Sequence, residues 1–299
     1  MVNHFHAQMP RPLMGVGHSM GGFHLTNLAL FHPRLFSTLI LIDPVIQRVP
    51  NPEGNYVPAK ASARRRDLWP SREVAKTSFL KSKFYQAWDP RVLNLWIEHG
   101  LRDLPTKLHP TSDGKEVTLK TTKHQEVLTF MRGNIQSASN PDPATRPNPL
   151  THPDVDLAIE GITPFYRPEA LVVFQRLPFL RPSVLYIFGS KSNLSESELR
   201  ADKMAMTGVG PSGSGGAKAG RVKEVLLDAG HLIPMEKVAE TADETSAWML
   251  SELQRWRDDE KAFEGMRRAI PREKRALMTD EFVKCATGDF MNKSGKSKL

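Results

Sequence analysis

The run Gly17-His18-Ser19-Met20-Gly21 places a serine between two glycines in the pattern Gly-x-Ser-x-Gly. A serine in this pattern can act as a nucleophile when it sits on a sharp turn between a buried strand and a helix. Such a turn strains the serine backbone and brings neighbouring backbone close, so the pattern predicts that Gly17 and Gly21 are both required. The alternative is a glycine-rich turn with a bystander serine, because a five-residue pattern recurs by chance.

The residues around Ser19 supply the context that the five-residue pattern lacks. Leu13-Met14-Gly15-Val16 predicts a short buried strand, and Phe23 to His32 predict a helix with an apolar face that includes Leu25 and Leu28. Strand, turn and helix therefore follow in the order that a serine nucleophile requires, and the backbone N–H of Met20 is a candidate donor to an oxyanion.

A serine hydroxyl is a weak nucleophile at neutral pH and needs a base within hydrogen-bond reach. His231 is the best candidate among ten histidines, because it follows the last predicted strand, Arg221 to Leu227, by a few residues. A loop at that point can carry an imidazole to the serine. His18 lies inside the serine motif, and we expect its side chain to point away from Ser19.

A carboxylate is needed to orient the histidine, and its position is open. The continuous apolar run from Leu39 to Ile42 predicts a strand of a parallel sheet covered on both faces. Asp43 lies at the carboxyl end of this strand, where such sheets keep their functional residues. The same carboxylate could instead accept backbone N–H groups at the strand end. Weaker candidates for the acid are Glu196, Glu198 and Asp228.

The size, charge and cysteine content limit the classes of protein. The 299 residues suit one large domain or a core with an inserted module, and the net charge is +8. Basic residues such as Arg64-Arg65-Arg66 are not interleaved with aromatics, so a solvated basic face is favoured over nucleic-acid binding. Cys285 cannot form an internal disulfide, which indicates a reducing compartment and a buried, apolar role. We expect no membrane span, no secretory signal, no cofactor and no metal.

The chain divides into four segments by composition. Residues 1–46 form the first part of a core, residues 47–180 a mainly helical cap with aromatic residues suited to an apolar acyl pocket, and residues 181–287 the second part of the core. An independent helical domain is the alternative for the cap. Within the core, residues 208–220 are rich in glycine and serine and are predicted to be mobile. Residues 288–299 are predicted to form a flexible tail.

The serine motif, the strand ending at Asp43, the strand ending at Gly189 and the late pair Gly230-His231 together resemble the α/β-hydrolase fold over residues 13–46 and roughly 180–260. The expected fold class is thus α/β: a mostly parallel sheet with helices on both faces, a large helical cap insertion and missing N-terminal strands. In most of the family, the acid follows the strand at residues 183–188, where this chain has Ser192.

A closer resemblance rests on Pro12 to Gly22, Leu41 to Val45, Ala229 to Pro234 and the terminal Ser297-Lys298-Leu299. These segments are similar to fungal peroxisomal lipase-like hydrolases and to the hydrolases of host-selective toxin biosynthesis (AK-, AF- and ACT-toxin type) in Alternaria. The resemblance implies a serine hydrolase of acyl esters or thioesters in toxin biosynthesis. The terminal tripeptide matches the peroxisomal import signal, so the import receptor is an expected partner and the peroxisome the expected compartment.

The missing N-terminal strands, and Ser192 in place of the expected aspartate, leave a second function open. A second oxyanion donor usually comes from a loop after an early strand, and residues 1–12 are too few to hold one. His99-Gly100 is the only His-Gly pair, but a helix C-cap glycine is the favoured interpretation. The alternative to an enzyme is therefore a catalytically impaired remnant that binds an acyl ligand or a partner protein.

Overall fold

A computed structural model describes residues 2–49, 52–131, 150 and 167–288. The terminal Ser297-Lys298-Leu299 lies outside the described residues. So does all but residue 150 of the stretch 137–154, whose prolines and polar residues predict a loop or linker. Among the residues that are described, every helix is too short or too polar to span a lipid bilayer.

The strands are β1 (Leu13–His18), β2 (Phe36–Ile42), β3 (Leu68–Trp69), β4 (Leu101–Asp103), β5 (Val117–Leu119), β6 (Ser183–Gly189) and β7 (Val222–Leu227). The helices are α1 (Val2–Phe5), α2 (Met20–Phe31), α3 (Pro52–Arg64), α4 (Arg72–Lys81), α5 (Lys83–Gln86), α6 (Pro90–His99), α7 (Lys123–Phe130), α8 (Glu169–Arg176), α9 (Ser197–Met206), α10 (Ile233–Glu236), α11 (Val238–Ala269) and α12 (Asp280–Ala286).

The main sheet contains four parallel strands in the order β1-β2-β6-β7. Pairing places His18 beside Ile42, and Ile42 beside Ile187, so three strands end at the same edge of the sheet. The prediction of a mostly parallel sheet is confirmed. Its carboxyl edge is where the chain leaves β1, β2 and β6, and it is the usual place for functional residues in such folds.

Alternate residues of β2 and β6 enter apolar clusters on opposite faces of the sheet, as expected for strands covered on both sides. Leu39 and Leu41 pack in a cluster with residues of α2 and α8, such as Phe23 and Val173. On the other face, a second cluster contains Ile40, Ile42, Leu185, Ile187, Ile233, Trp248 and Met249. Two of these residues belong to α11, so the prediction of helices on both faces is also confirmed.

The segment between β2 and β6 contains a small antiparallel sheet, in the order β3-β5-β4, in addition to helices. The sequence of residues 117–131 is compatible with either a strand or a helix, and the structure contains both. Strand β5 is followed by α7, whose N-cap Thr122 and Gln125 form a capping box. The sequence predicts one helix from Arg72 to Ala87, and the structure contains two, because Ser82, with an extended backbone, separates α4 from α5.

Several aromatic residues in the described part of this segment pack on one another. The ring centroids of Trp69 and Phe79 are 5.3 Å apart, and those of Phe79 and Tyr85 are 4.8 Å apart. Tyr85 lies 5.0 Å from Trp88, and a buried cluster of apolar residues surrounds these rings. These side chains form the core of the segment itself, and the expected apolar acyl pocket stays a prediction.

Arg65 departs from the predicted solvated basic face. Its guanidinium donates to both carboxylate oxygens of Glu126, at 2.8 and 2.9 Å, and to the hydroxyl of Tyr85 at 2.8 Å. It also lies over the ring of Trp96, with 5.8 Å between the guanidinium carbon and the ring centroid. A planar guanidinium satisfies both kinds of contact at once, so one arginine of the basic run is a structural residue.

The glycine-rich stretch at residues 208–220 was predicted to be mobile, and this prediction is wrong. The backbone N–H groups of Gly208 and Ser214 donate to the carbonyls of Leu177 and Leu180, at 2.9 and 3.0 Å. Gly208, Gly215, Gly216 and Gly220 have positive φ angles. Glycine here provides left-handed turns that close an ordered loop, and it does not provide flexibility.

The contacts within the chain define two compact units, Met1–Leu250 and Ser251–Leu299. The second unit contains the end of α11 and all of α12. Cys285 lies on α12 and is exposed, so the prediction of a buried, apolar role is wrong. The apolar residues that would cover a thiol, such as Phe282 and Val283, are themselves exposed on this helix.

Candidate functional site

Ser19 stands at a strained turn between β1 and α2. Its φ angle is 57° and its ψ angle is −121°, a conformation that non-glycine residues rarely adopt. The Ser19 N–H donates to the carbonyl of Ile42 at 2.9 Å, which ties the turn to the end of β2. Met20 is the first residue of α2, where a helix offers no acceptor for the backbone N–H.

The two glycines of the motif differ in how much space the structure leaves for a side chain. A Cβ atom at Gly17 would lie 2.6 Å from the carbonyl carbon and oxygen of Gly21, so the prediction for Gly17 is confirmed. A Cβ atom at Gly21 would meet nothing within 4 Å, so the prediction that glycine is required there is wrong. Gly21 lies in the first turn of α2 with its side-chain position facing open space.

Asp43 lies one residue beyond β2 and is fully buried. Its φ angle is 42°, and its N–H donates to the carbonyl of Ile187 at 2.8 Å. Its carboxylate accepts hydrogen bonds from side chains: Nδ1 of His231 at 2.6 Å, Oγ of Ser192 at 2.5 Å, and Oγ of Ser195. The alternative role predicted for Asp43, as an acceptor of backbone N–H groups, does not match these contacts.

His231 lies in the loop between β7 and α10 and joins the other two residues. Its Nε2 is 2.9 Å from Oγ of Ser19, and its Nδ1 is 2.6 Å from Oδ2 of Asp43. Two hydrogen bonds hold the backbone of this loop at His231 and at the residue before it. The N–H of Gly230 donates to Oε2 of Glu236 at 2.8 Å, and Nε2 of His18 donates to the His231 carbonyl at 2.7 Å.

Close packing at Gly189 lets this loop reach the serine. A Cβ atom at Gly189 would lie 2.3 Å from the carbonyl oxygen of Gly230 and 2.7 Å from that of Ala229. The end of β6 and the histidine loop therefore touch backbone to backbone. A larger residue at position 189 would push His231 away from the edge of the sheet.

The hydrogen-bond pattern sets the tautomer of His231. A buried carboxylate accepts from Nδ1, so the proton of the neutral imidazole lies on Nδ1 and the lone pair of Nε2 faces the Ser19 hydroxyl. In this arrangement the imidazole can remove the proton of Ser19, and the carboxylate of Asp43 can stabilise the imidazolium that forms. We call these three residues the candidate triad.

The electrostatic environment keeps the acid ionised. Burial alone raises the pKa of Asp43, but the hydrogen bonds from His231, Ser192 and Ser195 together outweigh burial, so the pKa lies below its ordinary value. Burial also lowers the pKa of His18. A neutral His18 places no second positive charge beside an imidazolium at His231, whose ring centroid is 4.8 Å from that of His18.

The other carboxylates considered from the sequence are placed elsewhere. Asp228 is exposed and pairs with Lys191 at 2.9 Å, and Glu198 is exposed and lies 3.4 Å from Arg48. Glu196 is exposed and precedes α9. Gly100 is the C-cap of α6, and its N–H donates to the carbonyl of Trp96 at 2.8 Å, as the C-cap interpretation predicts. Within the described part of the chain, no cluster of three or more histidine, cysteine or carboxylate side chains is arranged to hold a metal.

Three residues near the candidate triad were missed or misjudged in the sequence. Sequence reasoning assigned the ring of His18 no role beyond pointing away from Ser19, and in the structure this ring contacts the His231 loop. Ser195 and Lys203 gave no signal at all, because a buried serine or lysine on a helix-containing segment looks like a surface residue. Lys203 is 1% exposed, and its Nζ donates to the carbonyls of Leu194 and Leu199, at 3.3 and 3.1 Å.

Comparison with known proteins places this chain in a family. The sequence model of the alpha/beta hydrolase family matches residues 2–245, and the chain belongs to that family. Among solved structures, the peroxisomal alpha-beta-hydrolase Lpx1 from Saccharomyces cerevisiae has the same fold, with a TM-score of 0.54 and 16% identity, over 99% of this chain and 67% of that one.

Two groups of fungal relatives are similar in sequence. The type I acyl-CoA thioesterase mpaH of Penicillium roqueforti is 40% identical over 285 residues, which cover 87% of this chain and 64% of that protein. The abhydrolase domain-containing protein AFT2-1 of Alternaria alternata is 28% identical over 242 residues, which cover 81% of this chain and 84% of that protein. The chain thus spans 64% of the length of the Penicillium thioesterase.

The two glycines of the serine motif give a matched pair of variants. Gly17→Ala forces the backbone at Gly21 to move and displaces Ser19, so we expect labelling of Ser19 by a fluorophosphonate to slow by about 100-fold. Gly21→Ala adds a methyl group in open space, and its labelling rate should stay within about twofold of the unmodified protein. Equal labelling rates for the two variants would contradict this geometry.

The buried amine of Lys203 predicts a pH-dependent stability. Burial lowers the pKa of Lys203 to about 8 from an ordinary value of 10.5, although the charges of Asp43 and Asp202 oppose the shift. Between these two values the unfolded chain binds more protons than the folded one, so the free energy of unfolding rises with pH. From pH 8 to pH 10 the gain from this group is about 2 kcal/mol.

The comparison variant is Lys203→Met, which cannot titrate at this position. Urea unfolding at pH 8 and pH 10 should show that the unmodified protein gains about 2 kcal/mol relative to Lys203→Met over this interval. Taking the difference between the two proteins removes the effect of other titrating groups, such as the buried Tyr186. Parallel changes in both proteins would show that Lys203 keeps its ordinary pKa.

Proposed function

We propose that this chain is a serine hydrolase that cleaves acyl thioesters, with Ser19 as nucleophile, His231 as base and Asp43 as the acid that orients the base. The observation that carries the proposal is the continuous chain of hydrogen bonds from Oγ of Ser19 through His231 to the buried Asp43, with distances of 2.9 and 2.6 Å. Membership of the alpha/beta hydrolase family supports it.

The reaction follows from the geometry in two halves. In the first, Oγ of Ser19 attacks the acyl carbon while Nε2 of His231 takes the serine proton, and the carbonyl oxygen becomes an oxyanion. The backbone N–H of Met20 is the proposed donor to that oxyanion. Collapse of the intermediate breaks the bond to sulfur, and His231 returns the proton to the departing thiolate. In the second half, water attacks the acyl-serine while His231 takes its proton. The bond between the acyl carbon and Oγ of Ser19 then breaks, His231 returns the proton to Oγ, and the carboxylic acid is released.

A thioester of coenzyme A is the proposed substrate class. The support is the 40% identity to a protein named as a type I acyl-CoA thioesterase, which extends over 87% of this chain. A serine nucleophile also suits an acyl carbon of an ester or thioester, since attack leads to an acyl-enzyme that water can cleave.

A role in fungal secondary metabolism within peroxisomes is the proposed context. Similarity to AFT2-1 of Alternaria alternata supports the link to the toxin-biosynthesis group that the sequence resembles. The terminal Ser297-Lys298-Leu299 supports import into peroxisomes through the receptor that reads this tripeptide.

The enzymatic proposal is tested by release of free thiol from acyl-CoA substrates of several chain lengths. We expect the unmodified protein to release coenzyme A and Ser19→Ala to be slower by roughly 10³-fold or more, because removal of the nucleophile leaves only binding contributions. Ser246→Ala is the matched control, since this exposed serine lies on α11 and its loss should not change the rate. If the unmodified protein releases no thiol and takes up no fluorophosphonate, it is an acyl-binding or partner-binding remnant instead.

The compartment is tested separately with a fluorescent protein fused to the N-terminus. We expect the full chain to accumulate in peroxisomes, and the chain that lacks Leu299 to remain diffuse, because the import receptor reads the terminal tripeptide. A diffuse signal from both fusions would refute the peroxisomal assignment and would leave the hydrolase proposal untouched.

A further inference from the structure

The loop at residues 190–196, which follows β6, contacts the acid of the candidate triad through two serine side chains. In this loop Ser192 is 6% exposed and Ser195 is 5% exposed. Both hydroxyls donate to Asp43: Ser192 to Oδ2, the oxygen that also accepts from His231, and Ser195 to Oδ1. The carboxylate is therefore bound by side-chain donors on both of its oxygens.

The hydroxyl of Ser192 is itself oriented by the backbone. The N–H of Leu194 donates to Oγ of Ser192 at 3.2 Å, which occupies a lone pair of the hydroxyl and leaves its proton directed at Asp43. The N–H of Ser195 donates to the carbonyl of Ser192 at 3.1 Å, which closes the turn between the two serines. A hydroxyl that accepts one hydrogen bond becomes a stronger donor in the next.

A buried lysine donates a hydrogen bond to the backbone of the same turn. Nζ of Lys203 on α9 donates to the carbonyl of Leu194, one of the two residues between the two serines, and to that of Leu199. It also lies over the ring of Phe188, with 5.6 Å between Nζ and the ring centroid. Burying an amine to 1% exposure costs free energy unless the amine is hydrogen-bonded. Here the amine donates to one carbonyl of the loop and to one carbonyl of α9.

We propose that Ser192 and Ser195 are positioning residues for catalysis: they fix the carboxylate of Asp43 in one rotamer and in its ionised form, and Lys203 anchors the turn that presents them. The loop after β6 would then contribute two hydroxyl donors to an acid carried by β2. This proposal rests on the proposed function of the site, but it concerns residues that do not touch the substrate.

The physical reason is the cost of burying a charge. A carboxylate with no exposure needs donors to replace water, and each hydrogen bond to an ionised group is stronger than one between neutral groups. Without the two hydroxyls, Asp43 would keep only His231 as a side-chain donor among the contacts described here. The carboxylate could then rotate or take up a proton, and the Nδ1–H of His231 would lose its fixed acceptor.

The first experiment reads Asp43 directly and does not depend on activity. The carboxyl resonance of Asp43 in protein labelled with ¹³C-aspartate is assigned by its loss in Asp43→Asn and is followed as pH is lowered. We expect the pKa of Asp43 to rise by about 1 unit in Ser192→Ala and in Ser195→Ala, and by more in the double variant. Ser190→Ala is the matched control, since this exposed serine of the same loop donates to Asp228, 3.3 Å away.

The titratable groups that face Asp43 must be considered in this titration. In the described part of the chain these are His231 from the β7–α10 loop, His18 from β1 and Lys203 from α9. All three are present in every serine variant and in the control, so a shift confined to Ser192→Ala and Ser195→Ala comes from the lost hydroxyls. An unchanged Asp43 titration in both single variants would overturn the proposal.

The second experiment measures kcat/KM for thioester cleavage against pH. Each alanine variant should lower kcat/KM by about 10-fold at neutral pH, and the acidic limb of the profile should move to higher pH. Ser192→Thr and Ser195→Thr keep a hydroxyl and should restore the position of the limb. A uniform loss of rate, with the limb unmoved, would indicate only a structural role and would contradict the proposal.

The two experiments separate failure of this inference from failure of the proposed function. If Ser19-dependent hydrolysis is found but neither the Asp43 titration nor the limb shifts, the positioning role is wrong and the hydrolase stands. If no hydrolysis is found, the ¹³C titration alone decides whether the two serines hold the ionised carboxylate.

Discussion

The parallel hydrogen-bond ladder of the main sheet extends one residue past the ends of β1 and β2, and this extension sets the geometry of the whole site. The N–H of Ser19 donates to the carbonyl of Ile42, and the N–H of Asp43 donates to that of Ile187. Both residues leave their strands with positive φ angles. A shift of one residue in either pairing would move a side chain by about 3.3 Å, beyond hydrogen-bond reach.

The histidine depends on a different constraint, the close approach of two backbones. Gly189 at the end of β6 leaves room for Gly230, so the loop after β7 can lie over the sheet edge. The site is thus assembled from four adjacent strands of one sheet. The serine follows β1, the carboxylate follows β2, two hydroxyl donors follow β6 and the imidazole follows β7. Apolar clusters on both faces of β2 and β6 hold those strands in register.

Much of this arrangement could be predicted from the sequence, and the reasons for the failures are physical. Ser19 and Asp43 follow apolar runs that predict strands, so their place at one sheet edge follows from periodicity and chain order. The prediction that both strands are buried is right for β2 but wrong for β1, where Val16 is 47% exposed. Ser192 was noticed only because an aspartate was expected nearby. Its hydrogen bond to Asp43 joins residues 149 positions apart, and no local pattern encodes such a contact. No local pattern encodes the packing of the aromatic cluster around Phe79 either, for which composition alone suggested an acyl pocket. Nor does a local pattern encode the hydrogen bonds that order the loop at residues 208–220.

The identity of the acid is the central claim, and replacement of Asp43 by asparagine tests it most directly. Asparagine keeps the size of the side chain but removes the charge, so we expect kcat for thioester cleavage to fall by roughly 10³- to 10⁴-fold, while Asp228→Asn keeps the rate of the unmodified protein. An Asp43→Asn variant that retains full activity, or an Asp228→Asn variant that loses it, would contradict the account.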